Sequence, residues 1–249
     1  MTNLIEFKHV NKKYKVSEAL NDLSFTIGDK ETIALVGNNG CGKTTTVNVL
    51  SNIIPYNTGE VIAFGKKVTP SYVSYKNKLG ILLSPPILID EFTPYDYLKF
   101  VCKFQNVNTN EISERIYELA EFLEVAYLKN KKICEYSSGD KMKIAISAAI
   151  IHNPEILIFD EPFIYLDPKT IDFTIHFLKS LKGNKTIFIT SNNIDIVLEV
   201  CDRILIMERG SIIETFYKNN NIQLVSFKTK ILSRLKEINK DYSGFDWLK

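Results

Sequence analysis

The stretch Gly37-Asn38-Asn39-Gly40-Cys41-Gly42-Lys43-Thr44-Thr45 stands between an apolar run, Thr32–Val36, and the helix-compatible stretch Val47-Asn48-Val49-Leu50. A glycine-rich turn between a buried strand and a helix lets backbone N–H groups converge on an anion, in conformations other residues resist, and the helix start adds the positive end of its dipole. Lys43 then supplies a mobile positive charge for the outer phosphates of a nucleotide, and the Thr44 hydroxyl a ligand for the magnesium ion that accompanies them. A surface turn that merely happens to be rich in glycine requires neither the Lys-Thr pair nor the strand-turn-helix setting. Nucleotide binding is the first expectation, and it already requires an α/β unit.

A chain of 249 residues with 45% hydrophobic content can form one large domain or two small ones around a substantial core. With 31 basic and 29 acidic residues the formal charge is only +2, so charge alone implies no nucleic-acid partner. Cys41, Cys102, Cys134 and Cys201 lie far apart, without paired metal-ligand spacing, which suits free thiols in a reducing, cytosolic compartment. No stretch approaches the ~20 apolar residues of a membrane span, and Met1–Glu6 contains no signal-peptide core. If a membrane is involved, another chain is expected to cross it.

Short strands are expected at Leu4–Phe7, Asp22–Ile27, Thr32–Val36 and Gly59–Phe64, the last ending in a Gly65-Lys66-Lys67 turn. From Thr93 to Leu128 the spacing becomes helical: Tyr97, Phe100, Val101 and Phe104, then Ile112, Ile116, Leu119, Phe122 and Leu123, recur at three and four. Helices are further expected at Gly139–His152, Pro168–Leu181 and Asn193–Val200, alternating with strands at Ile156–Phe159, Thr186–Thr190 and Arg203–Met207. Strands separated by helices predict a mostly parallel sheet covered on both faces, with ligands at the carboxyl ends of its strands. Lys218-Asn219-Asn220-Asn221 is an expected linker into a tail too short to be a domain.

Ile156-Leu157-Ile158-Phe159-Asp160-Glu161 is an apolar strand ending in two carboxylates. Asp160 is suited to hold magnesium directly or through water, and Glu161 to orient or deprotonate the water that attacks a terminal phosphate. On its own the pair is also compatible with an acidic turn after a core strand. The phosphate cradle upstream in the same chain favours the chemical role.

Between these elements lies Tyr136-Ser137-Ser138-Gly139-Asp140, ahead of a helix, and Asp167 follows Glu161 closely. Taken in this order, the motifs resemble the nucleotide-binding subunits of ATP-binding cassette (ABC) transporters, from about Leu4 to about Ile213. The resemblance implies a P-loop NTPase core with a mostly parallel sheet, an N-terminal antiparallel β subdomain and an inserted α-helical subdomain. It places an ATPase domain at residues 1–217, the insert at about 93–152 and a short tail at 218–249. It implies ATP and Mg2+ as cofactors, a second ATPase subunit in a head-to-tail homodimer or heterodimer, and an integral-membrane permease at the cytoplasmic face of the cell membrane. Asn153-Pro154-Glu155 to Asp167-Pro168 looks most like exporters whose permeases are separate chains.

By the same resemblance Tyr14 stacks on adenine, Gly37 to Thr45 hold the phosphates, and Thr44, Asp160 and Ser84 attend the metal. Lys43, Glu161 and Asn192 are the expected catalytic residues, and Ser137, Ser138 and Gly139 meet the terminal phosphate of nucleotide on the opposite subunit, with Asp167 crossing between the sites. Taken singly, Tyr14 also suits a strand tyrosine in the core, Tyr-Ser-Ser-Gly a turn with an N-capping serine, and Asp-Pro an ordinary helix start.

Three positions depart from the family pattern. Ser84, before Pro85 and Pro86, stands where glutamine is usual; its hydroxyl is shorter and has one proton to donate, and it is otherwise a loop residue. Asn192 stands where a histidine usually contacts the terminal phosphate, and an amide cannot become cationic. Losing a whole preorganised donor typically costs ~3–4 kcal/mol, or about 10²–10³ in rate, and a partial substitute should cost less. Asp140 brings a negative charge into the expected signature loop. ATP capture is therefore expected to be secure and hydrolysis slow. The alternative is a subunit in which bound ATP regulates a membrane partner without turnover. Chromosome or translation ATPases of this fold are disfavoured, because their long coiled coils or paired cassettes are not found in this chain.

Overall fold

The computed structural model describes residues 3–125, 129–218, 228, 229, 231 and 233. Residues 126–128 of the expected helical segment and most of the expected tail lie outside the described residues. In chain order the elements are β1 (Asn3–Tyr14), β2 (Ser17–Gly28), β3 (Thr32–Val36), α1 (Lys43–Leu50), β4 (Thr58–Ala63), β5 (Lys66–Lys67), α2 (Val73–Lys76) and β6 (Leu79–Leu82). There follow α3 (Pro94–Phe104), α4 (Ile112–Phe122), a 3-10 turn (Ile133–Glu135), α5 (Ser138–Ile150), β7 (Ile156–Asp160), α6 (Pro168–Ser180), β8 (Thr186–Ser191), α7 (Ile194–Val200), β9 (Arg203–Glu208) and β10 (Ser211–Tyr217).

Two sheets carry the fold. One is antiparallel, in the order β2-β1-β4-β5; the other runs β10-β9-β3-β8-β7-β6 and is parallel except where β10 meets β9. Because side chains alternate along a strand, the parallel sheet divides its residues between two cores. Ile33, Leu35, Ile156, Ile158, Phe188, Leu205 and Met207 face α1 and the antiparallel sheet. Ala34, Val36, Leu157, Phe159, Ile187, Ile189, Ile204 and Ile206 face the layer of α5, α6 and α7. Burying such a side chain fully contributes roughly 1.5–3 kcal/mol, so both faces must stay covered. This explains why the central strands read as unbroken apolar runs.

The expected turn at Gly65-Lys66-Lys67 is corrected: Lys66 and Lys67 pair with Ala63 and Ile62 as β5. The turn itself is Phe64-Gly65, with φ of 51° and 72°, the positive-φ conformation that closes a two-residue hairpin. β10 is a strand that the sequence reading did not anticipate: its burial alternates from Ile212 to Tyr217, with Phe216 buried, but its apolar residues come in adjacent pairs, Ile212-Ile213 and Phe216-Tyr217, and do not alternate. In α3 the buried stripe is Leu98 and Cys102, whereas Phe100 and Phe104 are 48% and 71% exposed. The helical spacing marked the helix correctly, and the phenylalanines lie on its outer side.

Among the described residues, no helix is long and apolar enough to cross a membrane. All four cysteines are free, with Cys134 exposed and the other three buried.

Candidate active site

β3, β7 and β8 are adjacent and parallel, so the residues that follow their carboxyl ends converge at one edge of the sheet. The turn after β3 ends at Gly42, whose φ of 115° is open to glycine, and a Cβ there would lie 2.5 Å from the Ala19 carbonyl oxygen. The close approach lets α1 begin at Lys43 with its N-terminus lining a pocket of about 300 Å3. Ala19, Asn39, Gly40, Gly42, Lys43, Thr44, Thr45, Glu161, Ile164 and Asn192 enclose it.

Lys43 is only 7% exposed, and its ammonium donates to the Gly37 carbonyl and to Asn192 Oδ1, both at 2.7 Å. Glu161 Oε1 lies 3.6 Å from the same ammonium. An ammonium only donates, so the amide oxygen of Asn192 must face it. The amide NH2 then donates to Asn39 Oδ1 at 2.9 Å, and the Asn192 backbone N–H donates to Glu161 Oε2 at 3.2 Å. One asparagine thus ties the cradle to the carboxylate across β8.

Asp160 ends β7 fully buried. Its Oδ2 accepts from the Thr44 hydroxyl at 2.9 Å, and its Oδ1 accepts from the Thr190 hydroxyl. Thr190, on β8 opposite Asp160, also accepts from the Glu161 N–H at 3.0 Å. This threonine was not singled out from the sequence. A hydroxyl at the carboxyl end of the otherwise apolar run Ile187-Phe188-Ile189 was the available signal.

Thr44 and Asp160 present neighbouring hydroxyl and carboxylate oxygens beside the pocket, and Glu161 Oε1 is buried without a hydrogen-bond donor. No cluster of three or more His, Cys, Asp or Glu suited to a metal exists among the described residues. Two protein oxygens, completed by phosphate and water, suit Mg2+, which rarely occupies an all-protein cage. The donor set therefore fits the ion. Cys41 sits beneath the cradle, where burial raises its thiol pKa and keeps it neutral.

The other expected residues lie elsewhere. Tyr14 is 45% exposed at the end of β1, outside the pocket lining, with the Lys12 ammonium 5.3 Å from its ring. Ser84 is half-buried after β6 and also outside the lining. Ser137 caps α5: its hydroxyl oxygen accepts from the Asp140 N–H at 3.1 Å, and its proton goes to Asp140 Oδ2 at 2.8 Å. Asp140 thus folds back on Ser137. Asp167 caps α6 and accepts from both the Thr170 hydroxyl and the Thr170 N–H, which hold its carboxyl below the usual range.

The backbone from Glu161 to Asp167 joins the two regions. Ile164 lines the pocket, while a Cβ on Gly139 would lie 2.9 Å from the Tyr165 carbonyl oxygen, so this segment runs against the start of α5. Ser137, Ser138, Gly139 and Asp167 are not among the residues that line the pocket of their own chain.

A family model described as "ABC transporter" matches residues 20–164. The chain is 29% identical over 233 residues to the linearmycin resistance ATP-binding protein LnrL of Bacillus subtilis, covering 93% of this chain and 72% of that protein. It is 30% identical over 203 residues to the ABC transporter ATP-binding protein NatA of the same organism, covering 81% and 82%. It is also 30% identical over 223 residues to the methionine import ATP-binding protein MetN 1 of Listeria monocytogenes, covering 85% and 65%. Among solved structures, the dimeric bacterial ABC transporter cassette MJ0796 superposes with a TM-score of 0.81 at 24% identity, over 87% of this chain and 99% of that one. At that identity the likeness concerns the fold.

Proposed function

The chain belongs to the ABC transporter family as an ATP-binding subunit, and from this premise we propose that it hydrolyses ATP in a head-to-tail dimer to drive export through a separately encoded membrane permease. One observation carries the proposal: Lys43, Thr44, Asp160, Glu161 and Asn192, from three separate connections, meet around a single pocket. In this reading residues 1–217 are the ATPase domain, and the chain lies at the cytoplasmic face of the membrane, held there by the permease.

The start of α1 and the backbone of Gly40 to Thr45 take the phosphates, and Lys43 exchanges its Gly37 and Asn192 partners for phosphate oxygens. Thr44 and Asp160 hold the Mg2+, which neutralises charge on the outer phosphates when bound. Glu161 accepts a proton from the attacking water as the new P–O bond forms and the β,γ-bridging oxygen leaves with ADP. Its pocket position and hydrogen bond from Asn192 aim its carboxylate at that space. Asn192 then offers its amide NH2 where the family pattern has an imidazole, a weaker stabiliser of developing charge. Ser84 is a short substitute for glutamine, and turnover is correspondingly slow.

Tyr14 borders the nucleotide as an exposed ring at the tip of the β1–β2 hairpin. Ser137, Ser138, Gly139 and Asp167 serve the nucleotide of the opposite subunit, which fits their absence from the lining of their own pocket. The dimeric cassette of like fold supports this arrangement. Exposed Ile87, Phe100 and Phe104 offer the permease an apolar contact beside Ser84 and α3. Export follows the likeness of the Asn153–Pro168 segment to exporter-type subunits; the relatives include one named for linearmycin resistance and others named for methionine import.

A second reading is favoured by the Ser137–Asp140 bond, which occupies the hydroxyl proton expected to face the partner's phosphate. In that case ATP binding regulates the partner without turnover by this chain. Steady-state ATPase assays of the reconstituted complex separate the two. Glu161→Gln should retain ATP binding, lower turnover by about 10²–10⁴ and accumulate the ATP-bound dimer. A wild-type complex with no turnover, or a Glu161→Gln chain that hydrolyses normally, sinks the enzymatic reading.

A further inference from the structure

Resting on the hydrolytic reading above, we propose that Thr190 is a positioning residue for the reaction: its single hydroxyl locks the metal-side carboxylate of Asp160 and the backbone of Glu161 into one unit.

Thr190 is fully buried near the end of β8, directly opposite Asp160 in the parallel ladder between β7 and β8. Thr190 lies between the apolar residues Ile187, Phe188 and Ile189 and the buried Ser191, and its hydroxyl is set against the Asp160 carboxylate. A threonine hydroxyl has one proton and two lone pairs. A carboxylate can only accept, so the proton goes to Asp160 Oδ1 and a lone pair is left for the Glu161 N–H at 3.0 Å. The directions of both bonds are therefore fixed by chemistry.

The consequences differ for the two acids. Thr190 holds one oxygen of Asp160 while Thr44 donates to the other at 2.9 Å, which fixes the plane of the carboxylate and turns its Oδ2 edge toward the cradle. Glu161 has a φ of 48°, a left-handed conformation that a non-glycine residue adopts at a cost and keeps only when its surroundings impose it. Its N–H is anchored on Thr190 by both the hydroxyl and the carbonyl, at 3.0 and 3.1 Å. From this anchor its side chain reaches the backbone N–H of Asn192 and the neighbourhood of Lys43. Removing the hydroxyl frees the Asp160 carboxylate to rotate and loosens the turn that aims Glu161. Outer partners of this kind typically change metal affinity or activity by 10–100-fold.

The experiment compares Thr190→Val, which keeps shape and loses the hydroxyl, with Thr190→Ser, which keeps the hydroxyl and loses the methyl. In the reconstituted complex, Thr190→Val should lower kcat by about 10–100-fold with little change in the KM for ATP, and Thr190→Ser should stay close to wild type. In a Glu161→Gln background, where no turnover intervenes, binding of a fluorescent ATP analogue is titrated with Mg2+. Adding Thr190→Val should raise the half-saturating Mg2+ by about tenfold and leave binding in EDTA unchanged. Wild-type kcat and Mg2+ dependence in Thr190→Val overturn the proposal. A serine variant well below wild type also overturns it, because that variant keeps the hydroxyl and the lost methyl packing would then be responsible; this measurement does not depend on the valine variant folding. If instead the wild-type chain shows no Mg2+-dependent ATP binding at all, the hydrolytic reading fails first, and the two failures are distinguishable.

Discussion

The cradle and the start of α5 are both loops at helix N-termini, yet they are held in opposite ways. Around the cradle, hydrogen bonds join residues far apart in the chain: Lys43 to Asn192, Thr44 to Asp160, Asn192 to Asn39. At α5 the bonds of Ser137 and Asp140 are between residues three apart, and they form a cap that needs nothing else. The first arrangement exists only when β3, β7 and β8 are correctly paired, so its geometry is a product of the whole fold. The second forms wherever the helix forms. In the proposed dimer the cradle is preorganised by its own chain, whereas the α5 loop, read there as serving the opposite subunit, rests in a self-satisfied state.

The contrast is broken most severely by Lys43→Ala. Removing the charge from the cradle should abolish measurable turnover in the reconstituted complex, a loss of at least about 10³, with the fold retained by circular dichroism. Persistence of turnover would mean that a partner subunit, and not this cradle, carries hydrolysis. Asp140→Gln tests the other side. It removes a negative charge and releases the Ser137 hydroxyl, so ATP-dependent dimerisation, followed by size-exclusion chromatography with Glu161→Gln in both chains, should tighten by roughly tenfold. No shift there would show that the α5 start does not meet phosphate. Asn192→His should raise kcat by about tenfold or less, because an imidazole replaces an amide that already supplies one donor. If kcat falls instead, the bonds from Asn192 to Lys43, Asn39 and Glu161 matter more than its approach to phosphate. The smallest effect concerns Cys41, whose burial raises its pKa. A thiol reagent at neutral pH should modify exposed Cys134 first and Cys41 slowly, as read by mass spectrometry of labelled peptides.

The same contrast decides what the sequence disclosed. Gly37 to Thr45 and Asp160-Glu161 are legible because phosphate and metal chemistry demand fixed residue types at short spacing beside an apolar strand. The central strands are legible because burial on both faces leaves continuous apolar runs, as in Ile156–Phe159. Thr190 is not, because its role depends on which strand lies beside β7, and a single threonine at a strand end carries no periodicity. Asn192 is visible as a departure, but its bonds to Asn39 and Lys43 cross about 150 residues of chain and belong to the folded state. The inward fold of Asp140 onto Ser137 is a local matter that the spacing Ser-x-x-Asp does permit, as a capping arrangement. β10 escaped because its apolar residues come in adjacent pairs, Ile212-Ile213 and Phe216-Tyr217, which hides the alternation of burial along this edge strand.

The segment from Glu161 to Asp167 has one more consequence. It touches the pocket through Ile164 and the start of α5 through the Tyr165 carbonyl, and both Glu161 and Tyr165 adopt positive φ, at 48° and 70°. Its path is thus prescribed at both ends and curved in the middle, so its length behaves as a gauge block between two working surfaces. A single inserted residue would put these surfaces out of register, while the exposed residues 108–110, in the turn between α3 and α4, have room to absorb one. In a scan of insertions along this gene, the first stretch should yield no functional insertions and the second should tolerate them: function without elasticity on one side, elasticity without function on the other.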